Sequence, residues 1–187
     1  PCVFEAHDCG LRDEMQDESY CDPAMMAVFD GHGGRLVSKF LRAELIPRLQ
    51  QLNAFSREDV NRCFDETAQR LSDQHRDNIQ YTGSTAGVVM VRNGTVIVAN
   101  TGDCRAVLSR KGLAVPLTYD HKPGWYNERK RILELGGRIT RDPSGIPRIG
   151  KLSLSRAFGD LGASPYVIHQ PDVYRFRLQK TDEFIVL

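Results

Sequence analysis

Five consecutive positions, Asp30-Gly31-His32-Gly33-Gly34, hold the densest chemical signal in the sequence. A carboxylate can bridge hard cations, glycines let backbone carbonyls approach the same ions, and an adjacent histidine can transfer a proton near neutral pH. Together they suit hydrolysis at a metal site, although the same residue types also build ordinary Asp-Gly turns. Upstream, Arg12-Asp13-Glu14-Met15-Gln16-Asp17-Glu18 offers an arginine able to grip a phosphate with two hydrogen bonds and a carboxylate, Asp17, able to contact a metal. A charged surface turn has the same composition. Asp103 lies between two β-rich runs, where it could be a ligand or the aspartate of an Asx bend. Cys104 beside it reads as a small packed residue, because a soft thiolate is a poor match for hard oxygen ligands. Glu128-Arg129-Lys130-Arg131 reads as one exposed helix face, and Trp125, the only tryptophan, as local packing. His7, His75 and His169 stand outside any motif.

The elements that must position these residues alternate between strand and helix patterns. The apolar run 24–29 reads as a buried strand that delivers Asp30 into the glycine-rich turn. Leu36, Val37, Phe40, Leu41 and Leu45 recur at helical spacing until Pro47 breaks or kinks the pattern. Ser56, with Asp59 three residues on, caps a second helix that shows Val60, Phe64, Ala68 and Leu71 on one face. From 84 to 117 short β-rich runs separated by Asn93-Gly94 and Lys111-Gly112 predict an antiparallel meander. A third helix spans about 127–135 and closes at Gly136-Gly137, and further strands are expected at 138–140, 166–168, 173–178 and 184–187. Helices in blocks beside antiparallel strands indicate an α+β layered fold.

The chain has 187 residues, 41% of them hydrophobic, without repeats or low-complexity linkers, so 1–187 reads as a single domain. With 25 Lys and Arg against 24 Asp and Glu, the charge balance argues against a surface built for nucleic acid or an anionic membrane. The longest apolar runs are too short to cross a bilayer. Five cysteines (Cys2, Cys9, Cys21, Cys63 and Cys104) without C-x-x-C spacing suggest neither a disulfide framework nor a structural zinc site, and point to a reducing compartment, cytoplasmic or nuclear. The chain begins at Pro1 and ends inside the apolar run 184–187, from which we expect a piece of something longer.

Taken in order, these segments resemble the metal-dependent serine/threonine protein phosphatases of the protein phosphatase 2C family. The resemblance rests on six blocks: Arg12 with Met15-Gln16-Asp17; Val28-Phe29-Asp30-Gly31-His32-Gly33-Gly34; Gly83-Ser84-Thr85-Ala86; Ala99-Asn100-Thr101-Gly102-Asp103-Cys104-Arg105; Asp120-His121-Lys122-Pro123 with Glu128-Arg129 and Gly136-Gly137; and Leu154-Ser155-Arg156-Ala157-Phe158-Gly159-Asp160. It covers about positions 10 to 187. By this resemblance the fold is a β-sandwich of two antiparallel sheets flanked by helices, in α-β-β-α layers, incomplete at its C-terminal end. Asp30 becomes the bridging metal ligand, the Gly31 carbonyl completes one ion's shell, and Asp17 acts directly or through water. Arg12 holds the substrate phosphate and His32 is the general acid. Asp103 resembles a ligand of a third, weaker metal, with Thr85 nearby. The block 151–160 borders a loop over the site.

The implied activity is hydrolysis of phosphoserine and phosphothreonine in proteins by a water activated between two Mg²⁺ or Mn²⁺ ions, with a third ion at Asp103. The expected partners are phosphoprotein substrates, with no nucleic acid and no membrane, and the full-length form is expected to be a monomer. Gln16 departs from the glutamate of many members, and two further metal-binding aspartates are expected downstream of Leu187. The alternative is a catalytically impaired fragment or pseudophosphatase acting as a protein-interaction module. Another type of metal-dependent phosphoester hydrolase has only the Asp-Gly-His cluster behind it.

Overall fold

A computed structural model describes residues 3–52 and 56–187 of the chain. Pro1 and Cys2 lie outside the described residues, within which Cys9, Cys21, Cys63 and Cys104 are free. The largest sheet has five antiparallel strands, β1 (Glu18–Asp22), β2 (Met25–Phe29), β5 (Ala86–Arg92), β6 (Thr95–Thr101) and β12 (Asp172–Arg177), in that spatial order. A small sheet continues from it, with β3 (Gly31–His32) and β11 (Phe158–Gly159) on either side of β4 (Gly83–Ser84). A third sheet places β7 (Val107–Arg110) between β13 (Asp182–Val186) and β8 (Leu113–Pro116). The hairpin of β9 (Thr140–Arg141) and β10 (Pro147–Arg148) stands apart.

Period-two alternation decides which faces meet. Ala27, Phe29, Val88, Met90, Ile97 and Ala99 turn to one side of the five-stranded sheet and pack against helices α1 (Leu36–Gln50) and α2 (Arg57–His75). Val89, Val96 and Val98 turn to the other side and pack with Ala106, Leu117, Ile185 and Leu187 of the β7–β8–β13 layer. Two sheets face to face with helices outside is the α+β sandwich expected. Helix α3 (Tyr126–Glu134) buries Ile132 in a separate cluster with Ile149, Leu154, Ala157 and Val167. Leu113, Phe184 and Val186 on the third sheet are exposed. No helix of the described residues is long and apolar enough to cross a membrane.

Local chemistry accounts for the punctuation. Asn93 and Gly94 both adopt positive φ (51° and 70°), as do Lys111 and Gly112 (52° and 71°), the backbone that a tight hairpin with right-handed twist requires. Ser56 Oγ accepts the Asp59 N–H at 3.0 Å and caps α2. After α3, the Gly136 N–H donates to Leu133 O and the Gly137 N–H to Ile132 O, closing the helix in a Schellman arrangement.

Two expectations change. Of the break or kink expected at Pro47, the break does not occur: α1 runs on to Gln50. Pro47 and Ala43, whose carbonyl loses its helical partner, are both on the exposed face, while Leu45, Ile46 and Leu49 are buried and hold the last turn to the sheet. Residues 166–168 do not form a strand. The Tyr166 and Val167 N–H groups both donate to Ala163 O, so the segment turns, and only a single bridge links Ile168 to Arg156.

Replacing Ser56 with alanine removes the cap acceptor of α2, whose Val60, Phe64 and Leu71 belong to the main core. Urea unfolding is expected to show Ser56→Ala destabilised by about 0.5–2 kcal/mol with an unchanged slope. An unshifted midpoint would show that α2 does not depend on this cap.

Candidate active site

Asp30 and Thr85 face each other where two strands leave the large sheet and enter the small one. The register runs straight through, with Val28 opposite Gly87 before the junction and Gly31 opposite Ser84 after it. At the junction the Thr85 N–H donates to Asp30 O at 3.0 Å, but the Asp30 N–H donates to the Thr85 hydroxyl, also at 3.0 Å. The Thr85 carbonyl is taken instead by Ser84 Oγ. A side-chain bond thus replaces one rung of the ladder, and Asp30 ends its strand with both backbone groups satisfied and its carboxylate solvent-accessible.

Asp17 reaches the same place by close packing. A β-carbon on Gly31 would overlap Gln16 O and crowd Ser38 Oγ, so only glycine lets the segment before β1 pass this close. Ser38, fully buried at the start of α1, donates to Gln16 O at 2.6 Å. The next residue but one, Glu18, is held by Arg35 at 3.0 Å and Arg42 at 3.1 Å. Gln16 therefore takes part through its backbone.

The electrostatics reflect this crowding. Desolvation by the surrounding strand ends, then the charges of Asp17 and Asp103, push the Asp30 carboxyl up to about 6, with His32 opposing. His32 Nε2 lies 2.7 Å from Asp160 Oδ2, and the Asp160 side chain is 2% exposed. Burial works against the imidazolium, but the hydrogen bond and charge of Asp160, reinforced by Asp30 and Asp103, leave the His32 pKa above its ordinary value of 6.5. A β-carbon on Gly83 would overlap both Asp160 Oδ2 and His32 Nε2. The pair forms across the one position of β4 that has no side chain.

Asp103 is ion-paired to Lys122. The turn carrying it is fixed by His121, whose N–H donates to Gly102 O at 2.9 Å and whose Nδ1 accepts the Gly102 N–H at 3.0 Å. Cys104 Sγ packs 3.0 Å from Thr85 Oγ1, and burial pushes its thiol up to about 12. It is a packed thiol, as its sequence context implied. Beyond lies a buried ionic frame. Glu128 pairs with Arg156 at 2.6 Å and Arg131 at 2.8 Å, and Arg156 also reaches Asp172 at 3.0 Å. Burial opposes ionisation of Glu128, yet the two arginines hold its pKa at about 2.

The structure thus gathers Asp17, Asp30, His32 and Asp103 around one strand junction. Arg12 is exposed on the irregular segment before β1, and its side chain has no hydrogen bond or ion pair among the described residues. Asp160 closes the last of the six blocks, and its pairing with a histidine 128 positions away has no local signal in sequence. The surface reading of Glu128-Arg129-Lys130-Arg131 is corrected: Glu128 is buried and Arg131 half-buried, leaving Arg129 and Lys130 outside. Trp125 is 61% exposed rather than packed.

The donors near Asp30 are hard oxygens, which suit an ion of the Mg²⁺ or Mn²⁺ type, and three crowded like charges are an arrangement that a divalent cation relieves. Among the described residues, no three His, Cys, Asp or Glu side chains close on one point.

Residues 5–187 match the family model for protein phosphatase 2C. The chain belongs to that family. It is 38% identical over 168 residues to a probable protein phosphatase 2C 11 of Arabidopsis thaliana, a match covering 88% of this chain and 44% of the relative. It is 32% identical over 188 residues to a probable protein phosphatase 2C 44 of Oryza sativa, covering 98% and 58%. The chain spans about half the length of the curated relatives it matches. A serine-threonine phosphatase 2C structure from Toxoplasma gondii superposes with a TM-score of 0.82 at 21% identity, covering 95% of this chain and 74% of that one. A sex-determining protein of C. elegans superposes with a TM-score of 0.83 at 23% identity, covering 94% and 48%. These likenesses carry the fold. The family is metal-dependent, generally on Mg²⁺ or Mn²⁺.

In this protein phosphatase 2C chain, the His32–Asp160 pair sets the titration of the histidine. Proton NMR is expected to show His32 titrating above 6.5, and below its wild-type value in Asp160→Asn, which removes the charge that favours the imidazolium. An unchanged midpoint would mean that Asp160 does not govern the histidine.

Proposed function

We propose that this chain carries the phosphate-facing part of a metal-dependent protein phosphatase acting on phosphoserine and phosphothreonine. The observation that carries the reading is the His32–Asp160 pair standing beside the Asp30 carboxylate cluster. Asp30, Asp17 and the Gly31 carbonyl are the donors that would hold two divalent cations, and Asp103 would serve a third only on release from Lys122. Bound there, the cations supply an activated water and neutralise charge on the phosphoryl group.

The chain's own residues do the rest. Arg12, free of other partners, swings to the phosphate and binds two of its oxygens. His32, whose imidazolium form is favoured by the hydrogen bond and charge of Asp160, donates its proton to the departing serine or threonine oxygen. Asp160 anchors the ring through Nε2, so proton delivery falls to the other nitrogen or follows exchange of partner at the first. Thr85 keeps the Asp30 backbone fixed throughout.

A second reading, an impaired phosphatase acting as an interaction module, draws support from the Lys122–Asp103 ion pair, which already occupies one carboxylate.

Phosphate release from a phosphoserine peptide is expected to require added Mn²⁺ or Mg²⁺ and to stop in Asp30→Asn. His32→Ala should lower turnover of the alkyl ester by roughly 10²–10⁴, and much less with an aryl phosphate, whose leaving group needs little protonation. Equal losses on both esters would give His32 a structural role. A folded wild-type protein inert at saturating Mn²⁺ would favour the second reading.

A further inference from the structure

Residues 121–156 hold nine of the chain's 25 Lys and Arg but only three of its 24 Asp and Glu, although the whole chain carries a net charge of +1. The stretch is a lobe built from α3 and the β9–β10 hairpin. Both its stems are fastened at the site: His121 bonds to the Gly102 backbone through N–H and ring, and the Ser155 N–H donates to His121 O at 2.9 Å. From there the chain runs directly to Asp160, the partner of His32.

The three carboxylates of the lobe are spoken for. Glu128 is buried on Arg131 and Arg156, Asp142 is paired with Arg148 at 2.8 Å, and Glu134 faces Lys130 at 3.8 Å. Arg129, Arg138 and Lys151 are exposed and have no ion pair or side-chain hydrogen bond among the described residues. Beside these cations the lobe exposes Trp125, Tyr126 and Ile146. Trp125 and Arg129 lie one helical turn apart, and Gly124 fits against Pro147 of β10, where a β-carbon would crowd the ring. The start of the helix is thus packed on the hairpin, and Arg138 and Lys151 lie on the segments before β9 and after β10 of the same lobe.

We propose that this lobe docks an acidic polypeptide segment that carries aromatic or aliphatic side chains, flanking the phosphorylated residue presented to the site. The second half of the statement rests on the phosphatase reading; the docking itself does not. Charge complementarity selects the occupant. Unpaired cations and exposed aromatics on one lobe suit a peptide that pairs carboxylates and buries apolar side chains together. The excess of acidic groups over the rest of the chain argues against tracking along an extended polyanion.

The only tryptophan of the chain sits on the lobe, so emission excited at wavelengths that tryptophan absorbs and tyrosine does not reports on it alone. The 187-residue chain is titrated, without metal, with an unphosphorylated Asp/Glu-rich peptide containing a leucine and a phenylalanine, and with its Asn/Gln counterpart. We expect the acidic peptide to shift Trp125 emission saturably, and its binding to weaken with salt. The triple variant Arg129→Glu, Arg138→Glu, Lys151→Glu should bind about tenfold more weakly. Lys39→Glu with Lys180→Glu, exposed charges elsewhere, should bind as the wild type does. No saturable shift, equal binding of the Asn/Gln peptide, an undiminished affinity in the triple variant, or equal binding of an oligonucleotide or phosphatidylserine vesicle would each overturn the proposal. Phosphate release is measured separately, so failure of the phosphatase reading leaves this result legible.

Discussion

The Asp30–Thr85 junction is the constraint on which the site depends. Two strands cross from the large sheet to the small one at the same level, and a threonine hydroxyl substitutes for a backbone carbonyl at the crossing. Losing that hydroxyl would remove the acceptor of the Asp30 N–H, a hydrogen bond worth about 0.5–1.5 kcal/mol. Once the crossing is made, Gly31 and His32 follow directly in β3, and Gly83 lies opposite His32. The missing side chain at Gly83 then admits Asp160 from β11 and its turn. Asp30, His32 and Asp160 are thus brought side by side because one junction holds its register.

The ionic frame behind the site is a different kind of constraint. Glu128, Arg156 and Asp172 link α3, the stretch before β11 and the edge strand β12, with His121 3.1 Å from Asp172. The attraction of a buried pair has to offset its desolvation, so such frames specify arrangement more than they add stability. Here the arrangement specified is the attachment of the charged lobe to the rim of the site. Losing Glu128 would leave the half-buried Arg131 without its carboxylate and Arg156 with Asp172 alone, a larger penalty than the pair itself is worth.

Much of this was legible in the sequence where the signal is local. Asn93-Gly94, Ser56 with Asp59, and Gly136-Gly137 each encode a turn or cap within a few residues, and each forms as read. Asp30, His32, Asp17 and Asp103 stood out because their types and neighbours carry chemistry. What remained hidden depends on distant pairing. Asp160 gains its meaning only from His32, and Glu128 is buried only because Arg156 comes back to it from 28 positions away. Of a break or a kink at Pro47, tertiary burial of its neighbours decided against the break, and periodicity misjudged residues 166–168, whose N–H groups bond within a turn.

The central claim is that the junction holds Asp30 in a crowd of like charge that a divalent cation relieves. Carboxyl ¹³C chemical shifts of Asp30, followed across pH with and without Mg²⁺, test it most directly. The account predicts a metal-free midpoint of about 6, falling well below that value when Mg²⁺ is added, because a bound cation favours the carboxylate. A midpoint at the ordinary 3.8, unmoved by Mg²⁺, would contradict it.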